Sequence, residues 1–266
     1  MIIYKSREEI QSIRDSSQIV ALVLSELKEM IRPGLSTIEL DKYAEKRVHE
    51  LDAVPAFKGY RGYPASLCTS INEEIVHGIP SSRVLKEGDI LSLDFGVIHH
   101  GYYGDAAVTY PVGDITDPAE KIISVARKSF FKGVEQIKTG NRISDISHAV
   151  QNYVESQGFS IIRNFVGHGI GLSLHEEPQI PNFGAPGRGP RIKQGMTLAI
   201  EPMISAGSWE VKILSDNWTA VTKDKSLSAH YENTVAVTKD GVEILSLLSD
   251  EDANIHLDKG VVYEQR

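Results

Sequence analysis

From Ser6 to Ile31 apolar residues return at Ile10, Ile13, Val20, Leu24, Leu27 and Ile31, the spacing of one helical face. Ser6 and Glu9 supply the two halves of a capping box at its start, and Pro33-Gly34 stops it. Ser36 and Glu39 open a second helix, predicted to run to about residue 52. Asp117-Pro118 begins a third, with Glu120 in the first turn where the helix dipole favours an anion; it is expected to reach Gly140. A fourth covers roughly 143–157 and ends at Gly158. Over 89–112 the period changes. "DILSLDFGVI" and "YYGDAAVTYPV" alternate as strands do, and "HHG" joins them as a hairpin turn. Residues 56–80 mix glycine with aromatics, and the chain beyond 158 is strand-rich, broken by the loop "PNFGAPGRGP". The order helix, helix, strands, helix, helix, strands predicts an α+β fold with duplicated halves.

The duplication extends to individual residues. "KEGDILSLD", ending at Asp94, matches "KQGMTLAIE", ending at Glu201, with Lys86, Gly88 and Leu91 against Lys193, Gly195 and Leu198. Upstream, "IRPGLSTIELDKYAEKRV" resembles "IKTGNRISDISHAVQNYV"; downstream, "DAAVT" at Asp105 resembles "ENTVA" at Glu232, with a wider gap in the second half. A long repeat seen once suggests two related halves rather than a solenoid. We place them at about 6–116 and 117–248, within a single domain spanning 1–266. Each half brings an acid pair on strands, which suggests one shared site. If the hairpin turn centres on His99-His100, Asp94 and Asp105 stand directly opposite one another. Like charges so placed destabilise a sheet, and four such acids together are tolerable only with cations between them.

Composition narrows the setting. A formal net charge of −8 over 266 residues argues against a general nucleic-acid binder. Cys68 is the single cysteine, so no internal disulfide can form, which fits a reducing cytosol. The start "MIIYKSREEI" lacks a signal-peptide run, and no stretch reaches ~18 apolar residues. A cytoplasmic monomer without membrane contact is expected. His168 lies between glycines in "VGHGIGLSLHEEP", which permits close backbone approach and leaves the imidazole accessible. A nucleotide loop does not fit there, because no strand–GxGxxG–helix context follows and Pro178 arrives soon. His77, in "INEEIVHGIP", is ambiguous on its own; His99 and His100 are expected to be solvated turn residues. Cys68 has no evident paired base and is expected to be a buried or pocket-wall thiol.

"SLCTSINEEIVHGIP", "LDFGVIHHGYYGDAA", "VGHGIGLSLHEEPQIPN", "TLAIEPMI" and "SLSAHYENTVAVT" together resemble the type I methionine aminopeptidases, in family order over almost the whole chain. The resemblance implies the duplicated "pita-bread" (creatinase/aminopeptidase) fold, a central antiparallel sheet covered by helices. It implies a metal-dependent hydrolase that removes the N-terminal methionine of nascent polypeptides when the second residue is small. By the same resemblance Asp94, Asp105, His168, Glu201 and Glu232 match the ligands of two divalent ions. Asp105 and Glu232 would bridge them, His168 and Glu201 would complete one ion, and Asp94 would chelate the other. His77 and His175 match histidines that contact substrate, and Tyr60, Tyr63, Cys68 and Trp218 match walls of the methionine pocket. Glu201 is then the proton shuttle, with His77 and His175 stabilising the developing oxyanion and scissile amide. The oxygen-rich donor set suits Mn²⁺, Fe²⁺ or Co²⁺, with Zn²⁺ and Mg²⁺ also admissible.

The short interval from His168 to Glu201 leaves no room for the helical insertion of type II enzymes. The zinc-binding N-terminal extension of eukaryotic type I enzymes is also missing, so the short, bacterial-like form is expected. The partner is a nascent polypeptide N-terminus; a transient ribosome contact stays open, and no specific nucleic-acid contact is expected. Three rivals fit less well. A prolidase would carry a further N-terminal domain, a non-catalytic pita-bread module would have lost ligands, and a dinuclear phosphoesterase would need a phosphate-gripping arginine. The chain also departs from the family pattern. His230 stands where Gln is frequent, Asn233 where His is common, and Phe57 and Leu174 differ in size from residues often found beside the pocket. His230 is expected either to orient Glu232 from the same strand face or to face solvent at the pocket rim.

Overall fold

The computed structural model describes residues 1–138 and 140–248. Among these residues lie four α-helices: α1 (Arg7–Met30), α2 (Thr37–Glu50), α3 (Asp117–Val134) and α4 (Ile143–Ser156). The strands of the first part are β1 (Val54–Pro55), β2 (Cys68–Ile71), β3 (Glu74–Val76), β4 (Ile90–His99) and β5 (Tyr102–Pro111). Those that follow α4 are β6 (Ser160–Ile161), β7 (Val166–Gly169), β8 (Glu176–Pro181), β9 (Thr197–Ile200) and β10 (Met203–Ser205). The last are β11 (Val211–Ile213), β12 (Ala220–Thr222), β13 (Ser228–His230), β14 (Glu232–Thr238) and β15 (Gly241–Ile244). The principal sheet is antiparallel, in the order β1-β4-β5-β14-β9-β7-β8, with β2 beside β4 and β15 beside β14. Two three-stranded sheets, β13-β10-β6 and β11-β12-β3, flank it in sequence.

The helices begin where their caps dictate. Ser6 Oγ accepts from Glu9 N–H at 3.2 Å, and the Glu9 carboxylate accepts from Ser6 N–H at 2.7 Å. Glu39 and Asp145 likewise accept from the N–H groups of Ser36 and Arg142. The third helix stops at Val134, short of the expected Gly140. The backbone tightens there, Gln136 N–H donating to Gly133 and Ile137 N–H to Val134, and this turns Ile137 into the core.

Strand alternation decides which face each residue takes. Leu91, Leu93, Phe95 and Val97 of β4 join Val20, Leu24 and Leu27 of α1 and Leu40, Ala44 and Val48 of α2 in one core. Leu198, Ile200 and Val235 join Ile122, Phe130, Ile146 and Val150 of α3 and α4 in another. The helices therefore cover one face of the sheet, and residues at the intervening strand positions point away from them. The repeated segments fold alike: Gly88 and Gly195 both turn at positive φ, 88° and 87°, and the isolated bridges Ser36–Val84 and Arg142–Arg191 occupy matching places.

The hairpin register differs from the expected one. His99 pairs with Tyr102, so the two-residue turn is His100-Gly101, with φ of 48° and 81°. Asp94 stands opposite Ala107 and Asp105 opposite Gly96, not opposite each other. Primed two-residue turns need positive φ at both central positions, and Gly101 satisfies the second without strain. The correction moves each partner by two residues, so both acids keep the same face.

Candidate active site

Five adjacent strands each deliver one group to the uncovered face. Asp94 on β4 and Glu232 on β14 both stand opposite Ala107 of β5, two residues from Asp105. Asn233 pairs with Ile200, so their neighbours Glu232 and Glu201 share the other face. His168 of β7 pairs with Ala199, two residues before Glu201, and takes that face too. Gly167 and Gly169 flank it because a Cβ at either would meet a backbone carbonyl, of Ala199 or Glu177. Glu201 lies just past the end of β9, where Asn182 Nδ2 donates to its carbonyl at 2.9 Å. Thr234 ties Asp105 down: its hydroxyl donates to the Asp105 carbonyl at 2.8 Å and accepts from the Asp105 N–H at 3.2 Å.

His168 Nδ1–H donates to the Gly169 carbonyl at 2.9 Å, which leaves Nε2 with its lone pair toward the acids. Nε2 is 3.7 Å from Glu201 Oε1 and 4.0 Å from Asp105 Oδ2. Donor atoms of Asp105, His168 and Glu232 all lie within 4.8 Å of one another, and so do donor atoms of Asp94, His230 and Glu232. Glu232 belongs to both groups.

Asp94, Asp105 and Glu232 are buried, and each keeps one carboxylate oxygen without a hydrogen-bond partner. Burial lifts the Asp94 carboxyl to about 7. Burial first, and then the neighbouring acids, pushes Asp105, Glu201 and Glu232 well above the usual carboxylate range. Burial drives the imidazoles the other way, His77 to about 4 and His168 and His230 to about 3. Neutral imidazoles, clustered carboxylates and unpartnered oxygens are what a divalent metal requires and what an empty core would not tolerate. The residues present fit such an ion.

Beside the acids lies an aromatic cluster. Tyr63 meets Trp218 edge-on at 5.1 Å and donates from its hydroxyl to the carbonyls of Leu67 and Gly78. His77, at φ 62° just after β3, meets Phe165 edge-on at 5.4 Å and Trp218 at 6.2 Å. The His175 ring lies 4.3 Å from that of His168, and Tyr60 holds it through a 2.7 Å hydroxyl–Nδ1 contact. Cys68 stands opposite Asp94 on β2, where burial pushes its thiol up and keeps it protonated. It packs with Ala56, Phe57, Tyr63, Ile170 and Leu174.

His230 is 1% exposed, which overturns the solvent-facing reading. Its Nε2 lies 3.7 Å from Glu232 Oε2. Asn233 takes the opposite face, accepting from Ser246 Oγ at 2.8 Å, and so points away from the acids. His99 and His100 stack on each other at the hairpin turn. Three contributions escaped the sequence reading. Asn182 and Phe165 lie in or beside the "VGHGIGLSLHEEPQIPN" motif and could have been singled out there. Lys5 could not. It forms a buried ion pair with Glu176, which in turn accepts from Leu172 and Ser173 N–H and so anchors the loop carrying His175.

Residues 11–239 match the model of metallopeptidase family M24. The chain is 54% identical to a methionine aminopeptidase of Clostridium acetobutylicum, over 93% of this chain and 99% of that one. It is also 54% identical to methionine aminopeptidase 1 of Bacillus subtilis, over 92% and 99%. The crystal structure of methionine aminopeptidase from Thermotoga maritima superposes with a TM-score of 0.91 at 46% identity, over 93% of this chain and all of that one. A family match over most of the chain, identities above half to two relatives and a near-complete superposition agree: the chain belongs to metallopeptidase family M24 and, within it, to the methionine aminopeptidases of pita-bread fold.

Proposed function

We propose that this protein is a dinuclear metalloexopeptidase that removes the N-terminal methionine of nascent polypeptides when the second residue is small. The observation that carries the reading is the convergence of five donors, four on strands and Glu201 just past one, three of them with unpartnered buried oxygens, beside an aromatic cluster. Asp94, Asp105, His168, Glu201 and Glu232 would hold two divalent ions, with Mn²⁺, Fe²⁺ or Co²⁺ best suited to them. When bound, such ions polarise the scissile carbonyl and can lower the pKa of a water from 15.7 to about 7. Glu201 keeps 13% side-chain exposure, enough to meet substrate and solvent. It takes the proton of the attacking water and returns it to the leaving amine. Neutral His77 and His175 donate to the carbonyl oxygen as charge develops on it and hold the scissile amide. Tyr60, Tyr63, Cys68 and Trp218 receive the flexible thioether of the first residue. Because Asp94 stands opposite Cys68, the acids meet the aromatic cluster there, where they would attract a free α-amine and limit cleavage to the first bond.

The same reading makes the chain one catalytic domain of two pseudo-symmetric halves, about 6–116 and 117–248, acting as a cytoplasmic monomer. No helix among the described residues is long and apolar enough to cross a membrane. The test is hydrolysis of Met-Ala-Ser, Met-Lys-Ser and Ala-Pro peptides after chelation and reloading with each metal. Release of methionine from Met-Ala-Ser, at least ~10²-fold faster than from Met-Lys-Ser, is expected, because a bulky second residue displaces the carbonyl by ~1 Å. Comparable kcat/KM for the two would refute the pocket, and preferred cleavage of Ala-Pro would move the chain to the proline-specific class.

A further inference from the structure

His230 is a second imidazole turned into the acid cluster. Its backbone is pinned to β5: His230 N–H donates to Thr109 Oγ1 at 2.9 Å, and that hydroxyl donates to the His230 carbonyl at 2.8 Å. The ring is not pinned. Neither of its buried nitrogens has a hydrogen-bond partner. Nε2 lies 3.7 Å from Glu232 Oε2 and 4.0 Å from Glu201 Oε2. His168 shows the same pair of distances, 3.7 Å to Glu201 Oε1 and 4.0 Å to Asp105 Oδ2. Glu201 thus sits between two imidazoles, with one oxygen toward each.

These separations are too long for hydrogen bonds. The Glu232 separation falls within the ~4.2 Å that two donors can span when each sits ~2.0–2.2 Å from one ion, and donor atoms of Asp94, His230 and Glu232 all lie within 4.8 Å of one another. A buried imidazole with no partner is destabilising, and ligation removes that cost. We propose that His230, with Asp94 and Glu232, is a direct nitrogen ligand of the ion on the Asp94 side, so that this centre carries two imidazoles. The proposal rests on the dinuclear reading above. Imidazole favours the later first-row metals over Mn²⁺ and Mg²⁺, so this side of the site is tuned toward Co²⁺ and Zn²⁺ relative to a Gln-bearing one.

The test uses the metal-free full chain, labelled with ¹⁵N-histidine and titrated with Co²⁺. Two imidazoles with the large ¹⁵N contact shifts of direct ligation are expected, set apart from the smaller dipolar shifts of nearby non-ligand rings such as His175. His230→Gln removes one contact-shifted imidazole and His168→Gln the other. His230→Gln also weakens Co²⁺ binding by calorimetry at least ~10-fold, the lower range for loss of even an outer partner of a metal ligand, and weakens Mn²⁺ binding less. The count of two in the wild type stands without any variant, should His230→Gln fail to fold. A single contact-shifted imidazole in the wild type, whatever His230→Gln does to affinity, overturns direct ligation and leaves the dinuclear reading intact. No contact-shifted imidazole at all overturns both.

Discussion

The acid cluster and the aromatic cluster meet at Asp94 and Cys68, yet they are held in different ways. The acids hang from neighbouring strands of one sheet or, for Glu201, from the residue that follows one, and alternation places them on one face. The groups of the aromatic cluster hang from turns. His77 follows β3 in a left-handed conformation, Tyr60 opens a tight 3-10 turn, His175 rides the β7–β8 loop and Trp218 precedes β12. Their positions depend on side-chain contacts: Tyr60 on His175, Tyr63 on Trp218, and Glu176 on Lys5. The acid side should therefore answer to charge and metal, and the aromatic side to its anchors.

The largest effect should come from the metal. Chelation is expected to abolish peptide hydrolysis and lower Tm, since an ion that binds only the folded state stabilises it. Reloading with Mn²⁺, Fe²⁺ or Co²⁺ should restore both; full activity in a sample verified metal-free would end the dinuclear mechanism. Next comes Glu201→Gln, which keeps shape and removes basicity. A loss of at least ~10²-fold in kcat is expected, and near-normal turnover at measured full occupancy would exclude Glu201 as the proton carrier.

Lys5→Met probes the other side. It leaves Glu176 buried and unpaired, which should cost about 3 kcal/mol in denaturant unfolding. It should also raise KM for Met-Ala-Ser while leaving Co²⁺ affinity unchanged. An equal fall in metal affinity would break the division between ladder and loop. The smallest effect is one of pH. Above about pH 7.5 the lowered imidazoles are neutral whether the chain is folded or not, so they contribute no slope there. The raised carboxyls bind more protons folded than unfolded, so stability drains as pH rises through their folded values. Tm of the metal-free protein should thus decline from about pH 7.5 to 8.5, and that of the metal-loaded protein should stay flatter. A metal-free Tm that rises over this range would mean the acids are not held protonated together.

Some of this was legible in advance because its causes are local. Capping pairs one turn apart marked the starts of α1 and α2, and strand alternation marked the acids as belonging to one face. The hairpin turn was within reach as well: Gly101, not His99, is the residue that a positive-φ turn position asks for. The early end of α3 was not, because Ile137 turns inward to join a core formed by residues from β9 and β14.

By itself the sequence determined the element order, the repeated acid pairs and, through motif resemblance, which five residues to watch. Only the tertiary structure decided the rest. It set β14 between β5 and β9, which brings Glu232 within reach of both halves. It closed His230 away from water and aimed Nε2 at Glu232 and Glu201, and it brought Lys5 under the His175 loop. The physical reason is range. Caps, turns and alternation act between residues a few positions apart, whereas burial and electrostatic partners come from segments that meet only when the sheet has formed.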